Sequence, residues 1–126
     1  MGETNEAKMR SDLQPLMEIP VVEAVLLFGS HARGEATQRS DVDICVVAPA
    51  ISTTDAKASL LLTVWSQVNA AEFDIWLFEE LPLYMQIDII ENHHILHCRD
   101  VPSLYEYFYW FRKRWSQQEQ RQTLTT

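Results

Sequence analysis

The sequence predicts an α/β fold, a mixed β-sheet with flanking helices, and three observations carry that prediction. Apolar runs rich in Val, Leu and Ile stand at Val21–Phe28, Asp41–Val47, Glu72–Phe78 and His94–Arg99, each of strand length. Segments with apolar residues at helical spacing lie between and around them. Turn formers separate the two kinds of segment: Gly29-Ser30, Pro49 and Pro82. The resulting order, α-β-(α)-β-α-β-α-β-α, suits helices packed against one sheet. With 126 residues, 47% of them hydrophobic, the chain is expected to form a single domain, 1–126, with its own core.

Each element has a local reason. Ala7, Met9, Leu13, Leu16 and Met17 give residues 3–18 a helical stripe, with Pro15 and Pro20 blurring its end. Gly29-Ser30 turns the chain after the first strand, His31–Glu35 makes one helical turn, and Gly34 ends it. Thr53 or Thr54 caps a helix from Asp55 to about Val68. Pro82 opens a helix over Leu83–Glu91. The last helix runs from about 102 to 120, with Ser103 and Glu106 as a capping box and a frayed tail at Thr123–Thr126.

Charge narrows the function. A net charge of −8 opposes broad binding to a nucleic-acid backbone, so no direct nucleic-acid contact is expected. Between Ser40 and Cys98 one basic residue, Lys57, faces nine acidic ones, a balance that concentrates cations. No apolar run reaches the length of a membrane span, and Met1–Arg10 lacks the apolar core of a secretion signal. Cys45 and Cys98 fall in buried-strand patterns and do not make a disulfide framework. A reducing cytoplasm is the expected location.

The chemistry concentrates in Leu27-Phe28-Gly29-Ser30 and, ten residues on, Asp41-Val42-Asp43. Residues two apart on a strand share a face, so Asp41 and Asp43 set two carboxylates side by side near a turn whose amides can hold phosphate oxygens. Asp74 is the third carboxylate, placed inside Phe73-Asp74-Ile75-Trp76, where a buried unpaired charge would be costly. If its strand lies beside the second, Asp41, Asp43 and Asp74 can hold metal together. Hard oxygen ligands suit Mg²⁺, and a pair of ions suits phosphoryl transfer: one activates the attacking oxygen, the other holds the triphosphate. Asp41 and Asp43 would bridge both ions, and Asp74 would bind the catalytic one and help take the acceptor proton. Gly29 lets the backbone approach closely, Ser30 can bond the terminal phosphates, and Arg33 is near enough to neutralise phosphate charge.

Leu27 through Ala36, then Ser40-Asp41-Val42-Asp43, and Phe73-Asp74-Ile75 resemble the minimal nucleotidyltransferases of the DNA polymerase beta superfamily. The resemblance implies the palm-like nucleotidyltransferase fold, ATP as substrate, two Mg²⁺ ions per site, and Ser40 among the nucleotide-binding residues. His31 stands where relatives often carry Arg or an aromatic residue. Stand-alone domains of this kind commonly serve as antitoxins of helical HEPN-domain ribonucleases, transferring AMP onto a tyrosine of the toxin. Related antibiotic-modifying enzymes add a second helical domain that completes the acceptor site; 126 residues leave no length for one, so the acceptor is expected on another molecule. The alternatives are a small-molecule nucleotidyltransferase with a separate acceptor-binding subunit, and a catalytically idle binding antitoxin, which an intact carboxylate triad disfavours.

Two further clusters invite attention. His93, His94 and His97 precede Cys98, but His97 and Cys98 face opposite sides of a strand, so a zinc site is not expected. Tyr105 to Phe111 holds six aromatics in seven positions. Leu104, Phe108, Phe111 and Trp115 make one buried stripe; Tyr107 and Trp110 fall off it and are expected at an interface.

Overall fold

A computed structural model describes residues 2–34, 42–68 and 72–125, without the side chains of 2–5, 31 and 122–125. The elements are α1 (Gly2–Asp12), α2 (Gln14–Met17), β1 (Ala24–Phe28), α3 (Ser30–Arg33), β2 (Val42–Val47), α4 (Thr54–Gln67), β3 (Phe73–Leu77), a 3₁₀ turn (Phe78–Glu80), α5 (Leu83–Asn92), β4 (His94–Cys98) and α6 (Val101–Thr125). The four strands pair in the order β3-β2-β1-β4, with β1 antiparallel to β2 and β4 and β2 parallel to β3. The sheet is therefore mixed, as expected.

Alternation along each strand feeds two cores. Val25, Ile44, Val46, Phe73, Ile75 and Leu77 pack with Leu13, Leu16, Leu60 and Val64 on the side of α1, α2 and α4. Ala24, Leu26, Phe28, Cys45 and Val47 pack on the other side with Phe78, Ile87, Ile90, Leu104 and Phe108. Helices cover both faces of β1 and β2, and β3 leaves one face partly open, with Asp74 and Trp76 exposed there.

Local chemistry explains where elements end. The first helix divides at Leu13 instead of running to residue 18, because Pro15 has no N–H to donate back one turn. β1 starts at Ala24, later than Val21, after a turn in which Val22 N donates to Ile19 O. Thr53 caps α4, its hydroxyl accepting from Ala56 N at 3.2 Å. α6 begins at Val101, ahead of the expected capping box: Asp100 precedes it, its backbone carbonyl accepting from Leu104 N and its carboxylate from the Ser103 hydroxyl. The helix then continues to Thr125, past the expected end near Gln120.

The histidines serve structure. His93 Nδ1 lies 2.9 and 3.0 Å from the carbonyls of Ile89 and Ile90 at the end of α5, and His94 Nε2 lies 2.8 Å from Glu6 Oε1. Burial, with Arg99 nearby, lowers the pKa of His97. Both cysteines are free thiols.

Tyr107 corrects the face expected for α6. Its ring packs edge-on against Phe111 and beside Phe78, and its hydroxyl donates to Glu79 Oε2 at 2.8 Å. Glu79 Oε1 accepts from Ala48 N at 3.0 Å, so one carboxylate joins the end of β2 to α6. Tyr107 thus belongs to the core, because this partner draws it inward beside the Leu104–Phe108–Phe111 stripe. Tyr105, Tyr109 and Trp110 are the exposed aromatics of α6. Among the described residues no helix is long and apolar enough to cross a membrane.

Candidate active site

The sheet register assembles the site. Phe28 of β1 pairs with Asp43 of β2, and Asp43 pairs with Asp74 of β3. Side chains in one row of adjacent strands point to the same face, so Asp43 and Asp74 stand together, about 4.8 Å apart from strand to strand. They share this face with Cys45, and Cys45 is fully buried where Asp43 is half-buried and Asp74 exposed. The row therefore grades from core to solvent toward β3. Burial, reinforced by the nearby Glu79 charge, raises the Cys45 thiol pKa well above its ordinary value, which makes Cys45 a packed apolar group instead of a nucleophile.

Gly29 closes the other flank of Asp43. Its φ is +74°, a conformation that side chains other than glycine's rarely adopt. A Cβ there would run into Asp43 Oδ2, with Cγ and Cβ of Asp43 at 3.2 and 3.3 Å. The glycine thus provides both the turn and the space for the carboxylate. Ser30 opens α3 directly after it, and Arg33 N donates to Gly29 O at 3.1 Å, winding the turn tightly. The Arg33 guanidinium reaches across to α5 and pairs with Asp88, a contact absent from the sequence reading because nothing in the spacing links residues 55 apart.

Asp41 and Ser40 lie outside the described residues, as does the loop before them. Asp41 precedes Val42 immediately and so adjoins the start of β2 in sequence. Among the described residues no three His, Cys, Asp or Glu side chains gather as a metal cluster. The donors that are described fit a hard divalent cation: two carboxylates in one row, all-oxygen, with room kept open by a glycine.

Glu79 carries no sequence signal of its role: burial raises its pKa despite the bonds from Ala48 and Tyr107 that lower it. Trp76 stands two residues from Asp74 and by strand alternation shares its face. That spacing was the available signal.

The structure thus sets a Gly-Ser turn beside strand-borne aspartates in one row of a mixed sheet. Residues 7–97 match the nucleotidyltransferase domain family, and the chain belongs to that family and is a nucleotidyltransferase. It is 41% identical over 97 residues, 77% of this chain and 72% of the other, to a candidate protein adenylyltransferase of Methanocaldococcus jannaschii. Its fold is similar to a chain of a toxin–antitoxin crystal structure with AMP-PNP, at a TM-score of 0.68 and 21% identity, covering 96% of this chain and 95% of that one. It is also similar to a chain of the complex between a tri-AMPylated Shewanella oneidensis HEPN toxin and its MNT antitoxin, at a TM-score of 0.62 and 21% identity, covering 99% and 96%.

Proposed function

We propose that this nucleotidyltransferase is a Mg²⁺-dependent protein adenylyltransferase that moves AMP from ATP onto a hydroxyl, a tyrosine by family resemblance, of a cognate HEPN-domain ribonuclease, and so neutralises it as an antitoxin. The observation that carries the reading is the row of Asp43 and Asp74 held open by Gly29. The relative named for protein adenylyltransfer and the similarity in fold to chains of toxin–antitoxin complexes support it.

Asp41, Asp43 and Asp74 are the residues assigned to hold two Mg²⁺ ions, with Asp74 on one of them. When bound, the ions offset triphosphate charge and make the acceptor hydroxyl more acidic. The chain's own residues supply the rest. Ser30 and the Gly29 turn hold the terminal phosphates, Ser40 adds a hydroxyl, and Arg33, poised on Asp88, offers positive charge beside them. The acceptor oxygen attacks the α-phosphorus, an O–P bond forms, the bond to the bridging oxygen breaks, and pyrophosphate leaves. Asp74, the most exposed carboxylate of the row, takes the hydroxyl proton. The whole chain, 1–126, acts in the cytoplasm as one catalytic domain, and its acidity suits a protein substrate better than a nucleic acid.

Incubating the chain with its proposed HEPN-domain ribonuclease partner, labelled ATP and Mg²⁺, followed by intact-mass measurement, tests the proposal. AMP adducts on the ribonuclease that vanish with chelator are expected; an unmodified ribonuclease contradicts it.

A further inference from the structure

On the side of Asp74 away from Gly29, the site opens into an apolar groove along the outer edge of β3. β3 is an end strand of the sheet, and an end strand carries backbone N–H and C=O groups that no neighbour uses. Leu61 and Trp65 of α4 wall the groove from one side of the sheet, Leu81 and Met85 from the other, and Asp74 and Trp76 lie between them. Its volume is about 720 Å³. Trp65 and Trp76 are 48% and 39% exposed, so two indoles face solvent next to the candidate site without being needed to close a core.

We propose that this groove receives an extended segment of the acceptor protein, laid along β3 with apolar side chains against Trp65 and Trp76, and that the segment brings its hydroxyl to Asp74. The inference rests on the adenylyltransferase reading above. Three observations select this occupant. First, the sheet order puts Gly29 and Ser30 on one flank of Asp43 and the groove on the other. In-line displacement needs the attacking oxygen opposite the leaving phosphates, so the flank away from the Gly-Ser turn is the acceptor's. Second, Asp74 belongs to both the row of carboxylates and the groove lining, so a segment seated there is continuous with the site. Third, the groove lining is apolar apart from Asp74 and Glu80, and Lys57 Nζ lies 3.6 Å from Glu80 Oε1, so beyond Asp74 the walls offer an apolar surface whose one other charge is already paired. The favoured segment is therefore apolar. A strand edge joined to side-chain pockets recognises extended peptides by strand addition, and the five residues of β3 match a segment of similar length.

The test is steady-state AMP transfer to the cognate ribonuclease by the full chain, its Trp65→Ala and Trp76→Ala variants, and Trp76→Phe, with ATP affinity measured separately by calorimetry in Mg²⁺. Trp65 sits on α4 and Trp76 on β3, and both are exposed, so neither truncation removes a buried core side chain. Each is expected to raise the KM for the ribonuclease about tenfold or more, with ATP affinity within about twofold of wild type and Trp76→Phe restoring most of the loss. Unchanged KM in both alanine variants, while wild type transfers AMP, overturns the groove and leaves the adenylyltransferase reading standing. Lost ATP affinity with unchanged KM for the ribonuclease overturns it too, by placing the nucleotide base on the indoles. A wild-type chain that transfers nothing overturns the adenylyltransferase reading, and the acceptor groove falls with it.

Discussion

At the residue scale, Gly29 and Asp43 are one unit. A side chain at 29 would meet the Asp43 carboxylate and would sit at φ +74°. Gly29→Ala is expected to lower stability by about 1–2 kcal/mol, read as a fall in melting temperature. It should slow AMP transfer about a hundredfold, because a carboxylate displaced by a fraction of an ångström no longer holds its ligand. Asp41→Ala and Asp43→Ala should abolish transfer with stability unchanged or raised, since each relieves repulsion among clustered carboxylates. Activity within about tenfold of wild type in either variant contradicts the carboxylate site. The approach of the Gly29 turn to Asp43 was legible in the strand–turn–strand spacing, whereas Asp41 lies outside the described residues. The pairing of Arg33 with Asp88 was not legible, since it depends on how α3 and α5 come together.

At the element scale, a half-buried carboxylate adds to the apolar packing that holds α6. Tyr107 gives its hydroxyl to Glu79, which also accepts from Ala48 N at the end of β2. Burial first, then the Glu79 charge, pushes the Tyr107 pKa far above its ordinary range, so it stays a neutral donor. Tyr107→Phe leaves Glu79 short of a partner and is expected to cost about 1–3 kcal/mol in urea unfolding. The Glu79 pKa is raised above its ordinary 4.5, so the folded chain takes up this proton before the unfolded chain does. The stability this adds is complete below 4.5 and is lost as pH rises through the folded value. Wild type should therefore gain on Glu79→Gln as pH falls from neutrality toward 4.5; a pH-independent difference in urea midpoints argues against it. The strands and helices were readable to within a few residues from apolar period and turn chemistry. The face of α6 was misread at Tyr107 because a polar tip seeks a partner, and that partner, Glu79, is 28 residues away in sequence.

At the scale of the molecule, two cores clamp the sheet and leave its β3 edge open at the site. The order β3-β2-β1-β4 could not be read from sequence, because the apolar pattern gives each strand its faces and not its neighbours. That order is what sets Asp74 beside Asp43. Tyr109 and Trp110 of α6 are exposed and pack on each other, so replacing both by Ala should change unfolding free energy by no more than about 1 kcal/mol. A larger loss would show that these rings support the fold. The most direct measurement of the central claim is intact-mass analysis of the cognate ribonuclease after incubation with MgATP and either wild type or Asp43→Ala. The account predicts AMP adducts with wild type alone; a ribonuclease left unmodified by wild type, or modified equally by Asp43→Ala, contradicts it.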